Sequence, residues 1–379
     1  MAITFIQQPN KLNFAKNPIV AKVQTTQTTA GTERSFLRIV CKAQFNDASF
    51  SVIPDFTENL SCPVEDEGVA TFNFSDASQT ILNRMKMLID MNDDPLSKSF
   101  AVTMSATFKE VWLFENEEVE GESLSLESIT VIPGRLTDFE LLTKSDIDLE
   151  GLASSVKRMS RKPDVGIVYS GETLIVPMLY TGVVTVSHTA KVGDTEIGSA
   201  SKLLNGRAIY QSGITLSGGT DGGVAVDGST ADGSLWSLSG YYRTNTCGVH
   251  FLRFINGFGA VENISVRAKD KLSYEVSGET HSLVQEISTR PTDRRYATKS
   301  QPAGVYELSS GYVPVRWAEW YVQELLTSPR VWIQLGGKWV PALIEAEDDC
   351  VIYDRTKPEM PHVDFTLRLA IDGVTGCTW

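Results

Sequence analysis

The side chains of this chain that could carry chemistry are few and poorly grouped. Its four histidines, His188, His250, His281 and His362, have no spaced partner; two fall in strand-like text and two flank polar segments. A zinc peptidase needs two histidines one helical turn apart beside a glutamate. An acyl-transfer elbow needs a serine between glycines, and a phosphate loop needs a glycine-rich turn ending in Lys-Ser or Lys-Thr. None of these spacings occurs. Gly257-Phe-Gly259 begins like a dinucleotide fingerprint, but the third glycine is missing and strand-like text, not a helix, follows. With 47 acidic residues, a pair of carboxylates for glycoside hydrolysis would arise by chance too often to be assigned.

Metal and thiol chemistry fare no better. The five cysteines (Cys41, Cys62, Cys247, Cys350, Cys377) are odd in number, scattered and never spaced Cys-x-x-Cys, which fits reduced thiols better than disulfides or a zinc site. Cys247 and Cys350 read as small apolar fillers, since neither sits beside a base. Asp221, Asp227 and Asp232 are too far apart for a calcium loop, which needs oxygen ligands at alternate positions. The expectation is a chain without catalytic residues, metal or cofactor. The aromatic-rich set Trp317, Trp320, Tyr321, Trp332 and Trp339 has two readings: an exposed platform on which a sugar ring stacks, or aromatics packed in a core or subunit contact. Asp221, Asp227, Trp332, Trp339 and Trp379 are the candidate contact residues.

The totals bound the partners. A length of 379 residues allows two or three domains, and 42% hydrophobic with 21% charged residues is ordinary for a globular chain. A net charge of -13 argues against nucleic-acid binding, which draws its affinity from neutralising phosphates. The basic clusters Lys157, Arg158, Arg161, Lys162 and Arg290, Arg294, Arg295 read as solvated faces or subunit contacts. The N-terminal text lacks a basic stretch followed by an apolar core, and no apolar run approaches the ~20 residues of a membrane span. The expectation is a protein made in the cytosol with no span.

The elements that would position any site are mainly β. Leu37, Ile39, Cys41, Ala43 and Phe45 alternate with polar neighbours, as do Phe100, Val102, Met104, Ala106 and Phe108, with the same parity continuing to Trp112 and Phe114. A helix is expected from Ser75 or Asp76 through Ile89, and a second over Asp146 to Arg158 closed by Pro163. The acidic run Glu115, Glu117, Glu118, Glu120, Glu122 reads as an exposed loop, and Ser217 to Ser234, rich in glycine and aspartate, as a long mobile loop. Short strands are expected at Gly166–Tyr169, Leu174–Tyr180 and Val183–Ser187.

In the last third, Trp317 to Leu325 has helical spacing. Val331–Leu335 and Lys338–Ala342 flank the two-residue hairpin turn Gly336-Gly337, and Pro341 suggests an edge strand or a bulge. Val363 to Ile371 alternates as a final strand. His250–Ile255 and the return to Ala268 read as a hairpin about a tight Asn256-Gly257 turn loosened by Gly259, with Asn263, Ser265 and Arg267 on the face opposite Ile264 and Val266. The fold class is therefore mainly β, with antiparallel sandwich-like domains, a few short helices and a C-terminal α+β region. The divisions are 1–145, a helical linker 146–163, a second β domain 164–246 with the loop 217–234, and 247–379.

One phrase goes further. The Cys247-Gly strand, the aromatic-Asn turn and the Gly-Ala return resemble a hairpin recurring in virion proteins of phages and prophages of Bacteroidetes-type bacteria. The likeness extends to Ala318–Pro329, Val331-Trp-Ile, Trp339 to Asp349 and the final strand, and is looser before residue 145. It implies a non-enzymatic tail, baseplate or head-to-tail component, located in the virion, working as a ring or stack with its own copies and other virion proteins. A carbohydrate- or receptor-binding module, of a kind that a tail could carry, is the alternative.

Overall fold

A computed structural model describes residues 3–25, 35–47, 56–64, 68–87, 91, 100–137, 140, 154–275, 278–282, 295–299, 303–346 and 360–370. The chain is mainly β, in mostly antiparallel sheets with two short helices among the described residues. Near the N-terminus a three-stranded sheet (Ile3–Gln7, Val20–Thr25, Val69–Asn73) packs on a five-stranded one. That second sheet runs in the order Leu12–Phe14, Glu117–Ile132, Val102–Phe114, Ser35–Asp47, Phe56–Pro63. The alternating apolar residues meet between them: Ile39, Cys41, Phe45, Phe72 and Phe108 share one core with Ile81 and Leu82 of the helix Ser75–Met87. Two-residue periodicity put one face of each strand in that core and left the other wet.

The middle of the chain folds as a five-stranded sheet, Gly166–Tyr169, Gly233–Arg243, Gly222–Thr230, Val183–Val192, Thr195–Asn205, and a three-stranded one, Ala208–Thr215, Thr173–Tyr180, Lys157–Arg158. The C-terminal third is a seven-stranded sheet ordered Val261–Val266, His250–Ile255, Val331–Leu335, Lys338–Ala346, Asp364–Leu369, Ala303–Ser309, Ala268–Glu275. On it lies the helix Val315–Trp320, continued by one π-helical turn, Tyr321–Leu326. One further core spans all three regions, with Phe14 and Ile132, Met178 and Ile209, and Phe258 and Ala260 together.

Several expectations need correction. Glu117–Ile132 is a strand, so the acidic run is the exposed end of a hairpin; Glu115 and Asn116, both at positive φ, make its turn. The parity of this strand holds through Glu110 and Trp112, both buried, and fails at Phe114, which is exposed beside the turn. Residues 222–230 and 233–243 are paired strands; within 217–234 only short connections remain. Glycine serves close packing there: a Cβ on Gly228 would fall 2.3 Å from the Trp236 ring, which lies across it from the opposing strand. Lys157–Arg158 is a strand rather than a helix end, while 141–153 lie outside the described residues, as do Leu88, Ile89, Arg290, Arg294 and Trp379.

Pro341 lies on an internal strand, opposite Trp332, with no register shift. Its carbonyl accepts from Ala370 just beyond the last paired residues of the neighbouring strand, so the missing donor falls where that ladder ends. Gly336 and Gly337 do form the two-residue turn, with φ of 57° and 79°. The tight turn sits one residue on from the expected pair: the Gly259 amide donates to the Asn256 carbonyl, with Gly257 and Phe258 between them. Ile255 faces Val261, so five residues connect the strands, and the positive φ belongs to Gly259 (76°).

Candidate functional site

The hairpin that reads most plainly in the sequence has the least expected surroundings. Val261–Val266 is buried on both faces, because its polar side lies against the strand Thr173–Tyr180 and the segment 158–162. Asn263 is a bridge between two sheets: its Oδ1 accepts the Ile175 amide at 2.7 Å and its Nδ2 donates to Glu172 Oε1 at 2.6 Å. The other Glu172 oxygen accepts the Tyr169 amide. Glu262 accepts from the Ser160 hydroxyl on Oε1 and from Asn256 Nδ2 on Oε2, and Asn256 also donates to the Met159 carbonyl. Lys162, 6% exposed, donates to the Asn263 carbonyl at 3.1 Å and is the cation facing both glutamates.

Burial governs the charge state of this knot. It pushes the Glu172 and Glu262 carboxyls above the ordinary range, with Lys162 pulling them back. It also lowers the Lys162 ammonium, against the pull of Glu262 and Glu172. A second ionic pair closes the neighbouring gap. Arg161 donates to Glu324 at 2.6 Å and to Glu140 at 2.7 Å, with its guanidinium 4.1 Å from the Phe258 ring centre. Glu324 also accepts the Gly257 amide. The cluster Arg158, Arg161, Lys162, expected on a solvated face or subunit contact, is thus the inner junction of three β regions. Nothing in its local spacing marks it as buried; Glu172 lies 10 positions from Lys162 and Glu324 163 from Arg161.

Above the junction opens a cleft of about 680 Å³ between the edge strand Gly166–Tyr169 with its neighbour and the segment before the C-terminal helix. Ile167 and Tyr241, cross-strand partners, line one wall and Tyr312 the other, all exposed. Arg243 and Arg267 face in, and Asp164 is the single carboxylate among the lining residues described. One Asp164 oxygen is held by the Gly166 amide at 2.7 Å. The volume suits a ligand or a peptide turn. Glu172 and Glu262 are buried and hydrogen-bonded on both oxygens, and the cleft itself exposes aromatic and guanidinium groups.

The contact residues expected from sequence lie elsewhere. Trp332 is buried, and Trp339 is half-buried under the Arg253 guanidinium, 4.1 Å from its ring centre. Trp317, Trp320 and Tyr321 pack against one another, so these aromatics form core rather than an open sugar platform. Asp221 is exposed and accepts from the Thr244 amide and hydroxyl, which pins a turn; Asp227 sits half-buried within a strand. Among the described residues no helix is long and apolar enough to cross a membrane.

No protein-family model and no curated protein sequence matches the chain. Solved structures it resembles include native E. coli alpha-2-macroglobulin, at 7% identity over 81% of this chain and 21% of that one, with TM-score 0.23. Others are the YadV chaperone (9% identity, 70% and 100% coverage, 0.20) and the Salmonella enterica SafA pilin in complex with the SafB chaperone (11%, 63% and 95%, 0.19). This chain spans about a fifth of the alpha-2-macroglobulin it matches. Likeness at this level carries no functional argument.

Proposed function

We propose that this chain is a non-enzymatic structural component of a phage or prophage particle, of the tail, baseplate or head-to-tail kind, that acts as a homo-oligomeric ring or stack. The observation that supports it most is the buried junction. Lys162 with Glu172 and Glu262, and Arg161 with Glu324, lock sheets from the middle and the C-terminal third to each other, while the Phe14–Phe258 core ties in the N-terminal third. A subunit that transmits load between neighbours needs its sheets held in one orientation, and burying paired charges between them penalises relative sliding. The resemblance of the 247–266 hairpin supplies the particle. Other virion proteins would be its further partners; no direct contact with nucleic acid is expected of a chain with net charge -13.

Mass photometry of the purified chain, together with labelled-antibody imaging of particles, tests this. Discrete oligomers and labelled particles are the expected result; a strict monomer absent from particles overturns it. The receptor-binding alternative now centres on the cleft, because Tyr241 and Tyr312 are the open aromatics there. Glycan-array binding lost in Tyr312→Ala, with assembly intact, would favour it.

A further inference from the structure

The cleft and the acidic hairpin are complementary, and they lie in different thirds of the chain. The tip Phe114–Glu118 is exposed at every residue, and Glu115 and Asn116 hold it in a fixed left-handed turn. It presents an aromatic ring, Phe114, beside Glu115 and Glu117. Glu118 and Glu120 are answered by Arg38 and Lys109 on the sheet itself. Glu115 and Glu117 are the acids that flank the ring at the turn. The cleft presents the converse: exposed Ile167, Tyr241 and Tyr312, with Arg243 and Arg267 against the single carboxylate of Asp164. Arg243 keeps its buried Nε without a hydrogen-bond partner among the described residues, with its guanidinium 5.6 Å from the Tyr241 ring centre.

We propose that the cleft of one copy receives the Phe114–Glu118 tip of a second copy. Phe114 enters between Tyr241 and Tyr312, and Glu115 and Glu117 meet Arg243 and Arg267. A rigid turn loses little freedom on docking, and an aromatic anchor ringed by charge pairs is the arrangement that concentrates binding energy. Tip and cleft are different surfaces, so the contact is head-to-tail: it closes into a ring if the rotation closes, and otherwise runs on as a stack. This rests on the oligomeric reading above and names its contact.

The test uses two full-length variants. Phe114→Ser with Glu117→Lys disables the tip and leaves the cleft; Arg267→Glu with Tyr312→Ala disables the cleft and leaves the tip. All four positions are exposed, and circular dichroism checks each fold. Each variant alone should associate roughly tenfold or more weakly than the parent. An equimolar mixture should give a one-to-one dimer and nothing larger, because only one working tip and one working cleft meet. Raised salt should weaken the parent's assembly. Variants that assemble like the parent, or a mixture that stays monomeric, overturn the docking while leaving an oligomeric role standing. A parent chain monomeric at every concentration overturns both. A cleft that takes an acidic oligosaccharide with assembly unchanged by either variant assigns it to a ligand instead and overturns the docking.

Discussion

The ionic contacts of this chain occupy two opposite environments. At the hairpin, Arg38–Glu118 and Lys109–Glu120 join strands across a wet sheet face, with side chains 39–64% exposed. At the junction, Arg161–Glu324 (19% and 2%) and Lys162 with its two glutamates are enclosed by sheets. Similar charges do different work in the two places. In water the pair gains little and salt screens it; between sheets the desolvation already incurred makes each partner indispensable to the other. The difference lies in what packs on top, not in the residues.

The junction depends most on Lys162. Lys162→Met should cost about 3–5 kcal/mol near neutral pH, since it strands two buried glutamates. Their carboxyls are raised by burial, so the folded state holds their protons more tightly than the unfolded one. The stability this contributes is present at low pH and lost as pH climbs through the raised values. The variant should therefore recover as pH falls through the raised values toward the ordinary carboxylate range; denaturant melts across pH measure this. A loss below about 1 kcal/mol would place the junction with the surface pairs.

His188 sharpens the contrast from the other side. It is fully buried against Trp236, both ring nitrogens lack hydrogen-bond partners among the described residues, and burial lowers its pKa to about 4. The unfolded chain takes the proton first, so stability is intact above about pH 6.5 and declines as pH drops through about 4. His188→Phe should flatten that decline, by on the order of 3 kcal/mol at its lower end. Next in size, Gly228→Ala drives a methyl into the Trp236 ring and should cost about 1–3 kcal/mol, with altered tryptophan emission. Smallest, Arg38→Ala or Lys109→Ala should shift melting by under about 1 kcal/mol, and the shift should shrink in salt.

How much of this was legible depended on what each pattern encodes. Period-two alternation in residues 37–45, 102–108 and 363–369 located strands and told inside from outside, because one face of each meets a core. Gly336-Gly337 defined its turn, because two adjacent positive-φ residues admit little else. Alternation failed at 261–266, where Asn263 reads as part of the polar face but is covered by a distant strand. Composition misled at 217–234, where glycine suggested a loop but makes space for Trp236. Cleft and junction were both invisible for one reason: each is assembled from segments whose meeting is decided by tertiary packing, and the basic run at 157–162 carries no local mark of its partners.

Arg161 and Glu324 are separated by 163 positions along the chain. A ribosome that has made only the first two-thirds has emitted the cation with Glu140 but without Glu324, and the middle sheets have no wall to close against. Docking of the C-terminal third is therefore the late, non-local step of maturation. Products truncated before Glu324 should be sticky fragments, open to proteases, rather than shortened working subunits.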